Sequence, residues 1–342
     1  MGAGEQVEKG GLARKGQAED SYFHYFGSLN FRQAKSTVFC PLRQGFSHGR
    51  PCRDTSYLLS LPFPGKTQDS LASRPLRRSF LLPPESCPPL RNIRLTLEYE
   101  GTAYVGWQTQ PNGVSIQSTL EAAIGKMTGE KIKLTASGRT DAGVHALAQP
   151  ANFKTESSIP LKGFVHGLNS LIPDDICVKR AALMPESFDS RRSALRKTYL
   201  YRILNAPVNS ALQRRFCWHV SKELDAEAMA EAGRELVGVH DFEAFRSVGC
   251  EAEHAVREIY SLVVRREGDF VEIEVTGSGF LRHMVRVITG TLAEAGQGRL
   301  TALGLRGIIT AKERVRAVMT APVQGLFLKE VFYDMEPLEL YP

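Results

Sequence analysis

The alternation of apolar and polar residues predicts regular secondary structure from residue 92 onward. In "IRLTLEYE" (93–100) every second residue is apolar, which is the period of a half-buried strand. "SIQSTLEAAIGKM" (115–127) has apolar residues at helical spacing, with Ser118 and Glu121 at the spacing of a capping box. The pattern further predicts a strand over 132–136, a helix over 161–172 and a strand over 175–183.

The second half of the chain alternates in the same way without repeating the sequence. "KTYLYRILN" (197–205) predicts a strand with Tyr199 and Tyr201 on one face. The remaining predicted elements are a helix over 225–238 capped by Asp225, a hairpin over 257–277 turning at Glu267-Gly268, and a helix over 281–296. Helices mixed with hairpins exclude strictly parallel βαβ winding. We therefore predict an α+β fold with two domains, 92–190 and 195–342, each a mainly antiparallel sheet with helices on one face.

The net charge of +6 lies entirely in the first 91 residues, which carry 13 Lys and Arg against 7 Asp and Glu. The rest of the chain carries 30 of each, so the basic balance does not indicate nucleic-acid binding there. Residues 1–91 have no sustained period and are rich in Pro, Ser, Gly and Arg. We interpret them as a disordered basic extension or as the result of a mis-assigned start. A transit peptide is a third interpretation, which the acidic residues and the missing amphipathic helix disfavour.

Cysteine usage and hydropathy limit the compartment and the metal chemistry. Cys40, Cys52 and Cys87 fit no zinc spacing, and the other three cysteines are far apart, so we expect reduced thiols. No apolar stretch approaches the roughly 18 residues of a membrane span. We predict a cytoplasmic protein without a membrane segment.

The stretch "LTASGRTDAGVHALAQ" (134–149) carries the candidate chemistry. Small residues around Asp141 allow a sharp turn that leaves the carboxylate accessible, and Arg139 is close enough to keep it ionised or to bind a phosphate. Taken alone, such an Arg–Asp pair is more often a structural salt bridge than a catalytic site. In the following "LAQPANF", Pro150 lacks a backbone donor, which predicts that this strand starts later or lies at a sheet edge.

"ASGRTDAGVHA" (136–146) resembles the signature of the tRNA pseudouridine synthase A family. Further blocks follow in the order of that family: "LEYEGTAYVGWQTQPNGVSIQ", "FDSRRSALRKTYLYRI", "GVHDFEAFRS", "VREI", "GSGFLRHMVRVITGTL" and "APVQGLFLKEVFY". The resemblance covers about residues 92–334 and none of residues 1–91. It implies the pseudouridine synthase fold, with an active-site cleft between two α+β domains.

The resemblance also implies a reaction and its residues. Uridine becomes pseudouridine without a metal or organic cofactor at positions 38, 39 and 40 of the tRNA anticodon stem-loop, by base flipping. Asp141 matches the catalytic aspartate, Tyr199 the residue that stacks on the extruded uracil, Arg139 a residue that supports the flipped state, and Arg286 an active-site arginine. The enzyme is expected to be a homodimer, with one protomer holding the tRNA body while the other presents Asp141.

Neighbouring residues are less specific. Arg282 is one helical turn from Arg286 and is a candidate phosphate contact. His145 and His283 have no third ligand at metalloprotease spacing, so we expect structural or RNA-contacting roles and no metal. "RRSALRKTYLYR" (191–202), with five basic residues and two tyrosines, suits an RNA-facing strand.

Two alternatives belong to other classes of protein. A non-catalytic RNA-binding module has the same basic and aromatic residues but no use for a carboxylate where a polyanion approaches. A retaining glycosidase uses Asp141 as nucleophile, yet it needs a second carboxylate about 5 Å away, and the signature loop contains no other acid.

Overall fold

The computed structural model describes residues 89–247, 249–250, 252–311 and 319–342. Most of the segment 1–91 interpreted above, namely residues 1–88, lies outside this description. The helices are α1 (Ile116–Thr128), α2 (Leu161–Asn169), α3 (Ala226–Arg234), α4 (Met284–Gly296) and α5 (Ala302–Ala311). The strands are β1 (Arg91–Tyr99), β2 (Thr135–Ala136), β3 (His145–Thr155), β4 (Ile176–Met184), β5 (Arg196–Leu204), β6 (Trp218–His219), β7 (Gly238–Asp241), β8 (Val256–Glu267), β9 (Phe270–Gly277), β10 (Leu326–Phe332) and β11 (Glu339–Tyr341).

These strands form one sheet, in the order β11-β4-β1-β3-β10-β5-β9-β8-β7, with β2 paired to β3 and β6 to β5. Neighbouring strands are antiparallel except for the β3–β10 and β5–β6 pairs. The predicted α+β class with a mainly antiparallel sheet is therefore confirmed. The β3–β10 pair joins strands from the two predicted domains, and the domain boundaries stay a prediction.

Two large hydrophobic clusters cover the sheet. One contains the apolar side chains of β1 with those of α1 and α2, including Leu95, Leu120 and Phe164. The other combines β5 and β9 with α3 and α4 and includes Ile288. Tyr199 is partly buried and packs against both clusters, so the predicted uracil-stacking residue lies where they meet.

The start of α1 differs from the prediction. The capping box is formed by Ser115 and Ser118, not by Ser118 and Glu121: Ser118 N donates to Ser115 Oγ (3.0 Å) and Ser115 N to Ser118 Oγ (3.2 Å). Glu121 Oε1 accepts instead from the backbone N of Leu134 at 2.9 Å. This side-chain partner satisfies the Leu134 amide outside the sheet, and β2 is only Thr135–Ala136 rather than the predicted 132–136.

The start of α4 also differs. His283 has φ 61°, in the left-handed region, and the helix begins at Met284 rather than at Leu281. Arg282 therefore precedes the helix and does not lie one turn before Arg286 on the same helical face. Its role as a phosphate contact stays a prediction.

The expectation for Pro150 is wrong. β3 begins at His145 and lies in the sheet between β1 and β10, with Pro150 opposite Thr96. Pro150 O accepts a hydrogen bond from Ser137 N at 3.0 Å. Because the N and C=O of a strand residue point to the same side, the missing donor faces Ser137 and not β1, so the pairing with β1 is intact.

Two further expectations concern thiols and membranes. Cys177, Cys217 and Cys250 are free thiols, as predicted. In the part of the chain that the structure describes, no helix has both the length and the apolar character needed to cross a membrane.

We predict that Asn152→Leu destabilises the fold by about 2–4 kcal/mol, because burial without a hydrogen-bond partner costs about 1–3 kcal/mol per polar group. Asn152 is buried, its Nδ2 donates to Asn92 Oδ1 (2.9 Å), and Ser190 N donates to its Oδ1 (2.9 Å). Urea unfolding measures the change. The control is Lys154→Leu on the same strand, which removes only an exposed pair with Glu186 and should change stability by less than about 0.5 kcal/mol. Equal effects of the two substitutions would contradict the prediction.

Candidate active site

The signature loop (residues 137–144) connects β2 to β3 and is anchored at Thr140. The Tyr99 hydroxyl and Thr140 Oγ1 share a hydrogen bond of 2.8 Å, and Trp107 N donates to Thr140 O at 3.0 Å. All three residues are buried. The hydroxyl and the carbonyl of Thr140 are thus held, and the next residue is Asp141.

Two glycines allow the segment 101–107 to lie against this loop. A Cβ on Gly101 would be 2.0 Å from Val144 O, and a Cβ on Gly106 would be 2.6 Å from Thr140 O. Gly106 also has φ 105°, which L side chains rarely adopt. The block "EGTAYVGW" is therefore the structural support of the signature loop.

Asp141 lies at the turn of the loop, where Val144 N donates to its backbone O at 3.1 Å. Its side chain is 37% exposed, so the carboxylate is reachable from outside. Arg139, two residues earlier, is exposed on the same loop. The loop therefore presents the carboxylate and the guanidinium as the sequence predicts.

His283 contacts Asp141, which the sequence did not predict: His283 Nε2 is 3.4 Å from Asp141 Oδ2. Ser247 Oγ lies 2.9 Å from the other ring nitrogen, Nδ1. The sequence signal for His283 is its position three residues before Arg286. A left-handed backbone at a non-glycine residue costs of order 1–3 kcal/mol, and such residues cluster at functional sites.

His145, by contrast, is structural. Gly101 N donates to its Nδ1 at 3.1 Å, so Nε2 carries the proton and donates to Arg215 O at 2.8 Å. The ring stacks on Phe327 at 4.8 Å. Burial lowers the pKa of this imidazole, which is consistent with a neutral ring inside the fold.

Tyr199 lies on β5 and is electrostatically coupled to Asp141. Burial, and then the negative charge of Asp141, raise the pKa of Tyr199 to about 12. Its ring meets Phe280 edge-on at 5.1 Å. The phenol is therefore protonated at neutral pH and held in a fixed orientation.

Arg286 enters the site from α4. Its Nε donates to Ala321 O at 2.7 Å, and Ala321 N donates to Arg286 O at 3.0 Å. Gly290 permits this approach, since a Cβ there would be 1.7 Å from Met319 O. Burial lowers the pKa of Arg286 and the Asp141 carboxylate opposes that shift, so the positive charge is coupled to Asp141.

The structure thus brings Asp141, Tyr199 and Arg286 together from a loop, a strand and a helix, and adds His283.

The basic run 191–202 is only partly outward-facing. Tyr201 is fully buried with its hydroxyl donating to Pro322 O at 2.7 Å, and Arg202 Nε donates to Glu272 at 2.8 Å. The expectation of an RNA-facing strand is therefore wrong for Tyr201, which is buried, and stays a prediction for the other residues of the run.

Within the ranges that the structure describes, no three His, Cys, Asp or Glu side chains are grouped so that they could hold a metal ion.

We predict that Gly106→Ala displaces the signature loop. The added methyl would meet a backbone carbonyl, so the loop amides 140–144 should exchange hydrogen faster in mass-spectrometric exchange and the free energy of unfolding should fall by more than about 2 kcal/mol. The control is Gly268→Ala, which has φ 57° but no atom within 4 Å of the added Cβ. That variant should lose only the roughly 1–2 kcal/mol of a left-handed residue, with exchange at 140–144 unchanged. Unchanged exchange in Gly106→Ala would contradict this account.

Comparison with known proteins identifies the family of this chain. A family model described as tRNA pseudouridine synthase matches residues 96–191 and 232–334, which include Asp141, His283 and Arg286, whereas Tyr199 lies between the two matched segments. The chain is 49% identical to tRNA pseudouridine synthase A of Geotalea uraniireducens over 244 residues, which are 71% of this chain and 100% of the relative.

Two further relatives are similar at the same level. The chain is 50% identical to tRNA pseudouridine synthase A of Myxococcus xanthus, over 72% of this chain and 93% of the relative. It is 47% identical to tRNA pseudouridine synthase A 2 of Clostridium tetani, over 71% of this chain and 99% of the relative. On the match to the family model and to nearly the full length of these relatives, the chain belongs to the tRNA pseudouridine synthase A family.

Proposed function

We propose that this protein converts uridine to pseudouridine at positions 38, 39 and 40 of the tRNA anticodon stem-loop, with Asp141 as the essential carboxylate. Membership of the family makes it a tRNA pseudouridine synthase, an isomerase. The anticodon stem-loop as target and the residue roles are the proposal. The observation that carries them is the accessible Asp141 carboxylate coupled to Arg286 and Tyr199.

The reaction breaks the N1–C1′ bond of a uridine, turns the base and forms a C5–C1′ bond. The proton on C5 is then removed, and N1, which has lost its bond to C1′, takes up a proton. Asp141 serves either as a nucleophile at C1′ or C6, or as the base that takes the ribose 2′ proton on a glycal route. Each route needs the carboxylate ionised, and the positive charge of Arg286 favours that form. The reaction needs no organic cofactor or metal ion.

A uridine in a stem has to leave the base stack before Asp141 reaches it. We assign Arg139 to this step, because its exposed side chain stands two residues before Asp141 and a guanidinium can bind backbone phosphate or fill vacated space. Tyr199, held edge-on by Phe280, supplies the surface on which the extruded uracil stacks.

The finer expectations for assembly and compartment belong to the same proposal. We expect a homodimer in which one protomer holds the tRNA body while the other presents Asp141, and we expect the protein in the cytoplasm. Sedimentation equilibrium of the full chain tests the first expectation, since a concentration-independent monomer would exclude it.

Asp141→Asn should abolish pseudouridine formation and leave tRNA affinity within about twofold, because the amide keeps the shape of the side chain but is neither a nucleophile nor a base. Single-turnover assays with mass-spectrometric detection of pseudouridine at positions 38–40, beside filter binding, measure both quantities. The control is Asp334→Asn, which makes the same charge change at an exposed residue and should keep full activity. An active Asp141→Asn enzyme would exclude the proposed chemistry, and pseudouridine formed only at other positions would exclude the proposed target.

Tyr199→Phe should lower the single-turnover rate about 10²-fold while tRNA affinity stays nearly unchanged. Phenylalanine keeps the stacking surface, worth roughly 1–3 kcal/mol per base, and removes only the hydroxyl that assists removal of the C5 proton. Tyr199→Ala should lose both affinity and rate. Since the pKa of Tyr199 is about 12, the wild-type rate should show no titration of this phenol between pH 6 and 9. A fully active Phe variant and a merely unstable Ala variant would reduce Tyr199 to a core residue.

A further inference from the structure

The backbone of Ser137, at the start of the signature loop, has an incomplete strand pairing. β2 pairs Thr135 with Asn152 and Ala136 with Ala151, and the register continues with Ser137 N donating to Pro150 O at 3.0 Å. In an antiparallel ladder two residues in this relation exchange two hydrogen bonds. Pro150 has no N–H, so it cannot give the second bond to Ser137 O.

A lysine from a distant strand supplies that bond. Lys197 Nζ, on β5, donates to Ser137 O at 2.6 Å. The residue after Ser137 is a glycine, and a Cβ on Gly138 would lie 3.2 Å from the Lys197 ammonium. Gln149 Nε2 in turn donates to Gly138 O at 2.9 Å. Two successive carbonyls are therefore held by side chains, immediately before Arg139, Thr140 and Asp141.

The lysine is in an electrostatically unfavourable place. Its side chain is half-buried, and within the described ranges no carboxylate oxygen lies within the 4.0 Å of an ion pair with it. Burial, with a further contribution from the positive charge of Arg191, lowers the pKa of Lys197 to about 8. Among the described residues, no carboxylate offsets the free-energy cost of burying this charge. The hydrogen bond to Ser137 O is therefore the favourable interaction at this position. Charged or neutral, the amine retains an N–H donor for Ser137 O.

β5 connects this contact to the reacting groups. Lys197 and Tyr199 are two residues apart on the strand and so share a face: one holds the first residue of the loop and the other is coupled to Asp141. A shift of Ser137 relative to β5 would therefore change the distance between Asp141 and Tyr199. Misplacing a catalytic group by about 1 Å can lower a rate 10²-fold.

We propose that Lys197 is a positioning residue of the catalytic loop, which supplies the hydrogen bond that Pro150 cannot donate and so fixes Asp141 relative to β5. The inference rests on the proposed role of Asp141. It requires no contact between Lys197 and the RNA, which distinguishes it from the phosphate-binding role that a basic residue in this run would otherwise have.

The test is a double-mutant cycle on the full-length protein. Lys197→Met removes the donor at similar length, Pro150→Val supplies a backbone N–H opposite Ser137, and Lys197→Arg keeps a donor. We expect Lys197→Met to lower kcat at least tenfold with unchanged tRNA affinity and salt dependence, and to speed hydrogen exchange of amides 137–144. Pro150→Val should restore most of kcat and of the exchange protection in the Lys197→Met background, and Lys197→Arg should stay within a few-fold of wild type.

Each other outcome overturns the inference. A Lys197→Met enzyme with wild-type kcat and exchange shows that the bond is dispensable. Weaker tRNA binding with a smaller salt slope shows a phosphate contact instead. A kcat loss that neither Pro150→Val nor Lys197→Arg relieves shows that the donor to Ser137 is not what matters. Absence of pseudouridine formation by the wild type would refute the proposed function, whereas the exchange measurement would still test the role of Lys197.

Discussion

The double hold on Thr140 is the interaction on which the site depends. The Tyr99 hydroxyl binds its side chain and the Trp107 amide binds its carbonyl, so a loop residue is fixed as firmly as a strand residue. Tyr99 ends β1, and burial raises the pKa of its phenol, which keeps the phenol neutral at physiological pH. The two hydrogen bonds of Thr140 also restrict the position of Asp141, because the two residues are adjacent in the chain.

The ionisable groups around Asp141 differ in how deeply they are buried. The carboxylate is partly exposed, whereas Arg286 and Tyr199 approach it from the protein side and lose water on doing so. Desolvation strengthens their electrostatic coupling to the carboxylate relative to the same groups in water. The site thus combines an accessible anion with a cationic and an aromatic group already in place, and the proposed reaction would need little rearrangement of these groups.

The sequence pattern predicted those elements in which one face is buried. β1, β5, the β8–β9 hairpin and the helices α1 to α4 have clear periods, and the structure contains them with shifts of a few residues at their ends. β10 was not predicted, because it lies in the middle of the sheet and its "LFL" is buried throughout, so the alternation that marks a strand is absent. The strands β6, β7 and β11 have only two to four residues, too few to show a period.

The residues of the site, like the secondary-structure elements, could be predicted from the sequence only in part. Residue spacing alone left Asp141 as half of a salt bridge, and the family blocks supplied Tyr199 and Arg286 from segments 58 and 145 residues away. His283 was named from the sequence, but its contact with Asp141 was not predicted, because that contact depends on a left-handed backbone and on partners at 141 and 247. Lys197 was missed because its contact is visible only once Ser137 is paired with a proline. Side chains that complete or replace backbone pairing cannot be found by periodicity, since the register has to be known first.

The charge distribution shows how a polyanion can approach a carboxylate in a region whose formal charges balance. From residue 92 on, the 30 basic residues equal the 30 acidic ones, so no overall attraction offsets the repulsion between Asp141 and RNA phosphates. Exposed arginines at 139, 191, 192 and 196 lie on the signature loop and on the approach to β5. Since salt screens interactions beyond about 8–10 Å, local charges such as these, and not the overall charge balance, act on a phosphate near the site. On the proposed mechanism, these arginines bind the RNA backbone where the base has to be extruded, while the Arg286 charge is coupled to the Asp141 carboxylate beside it.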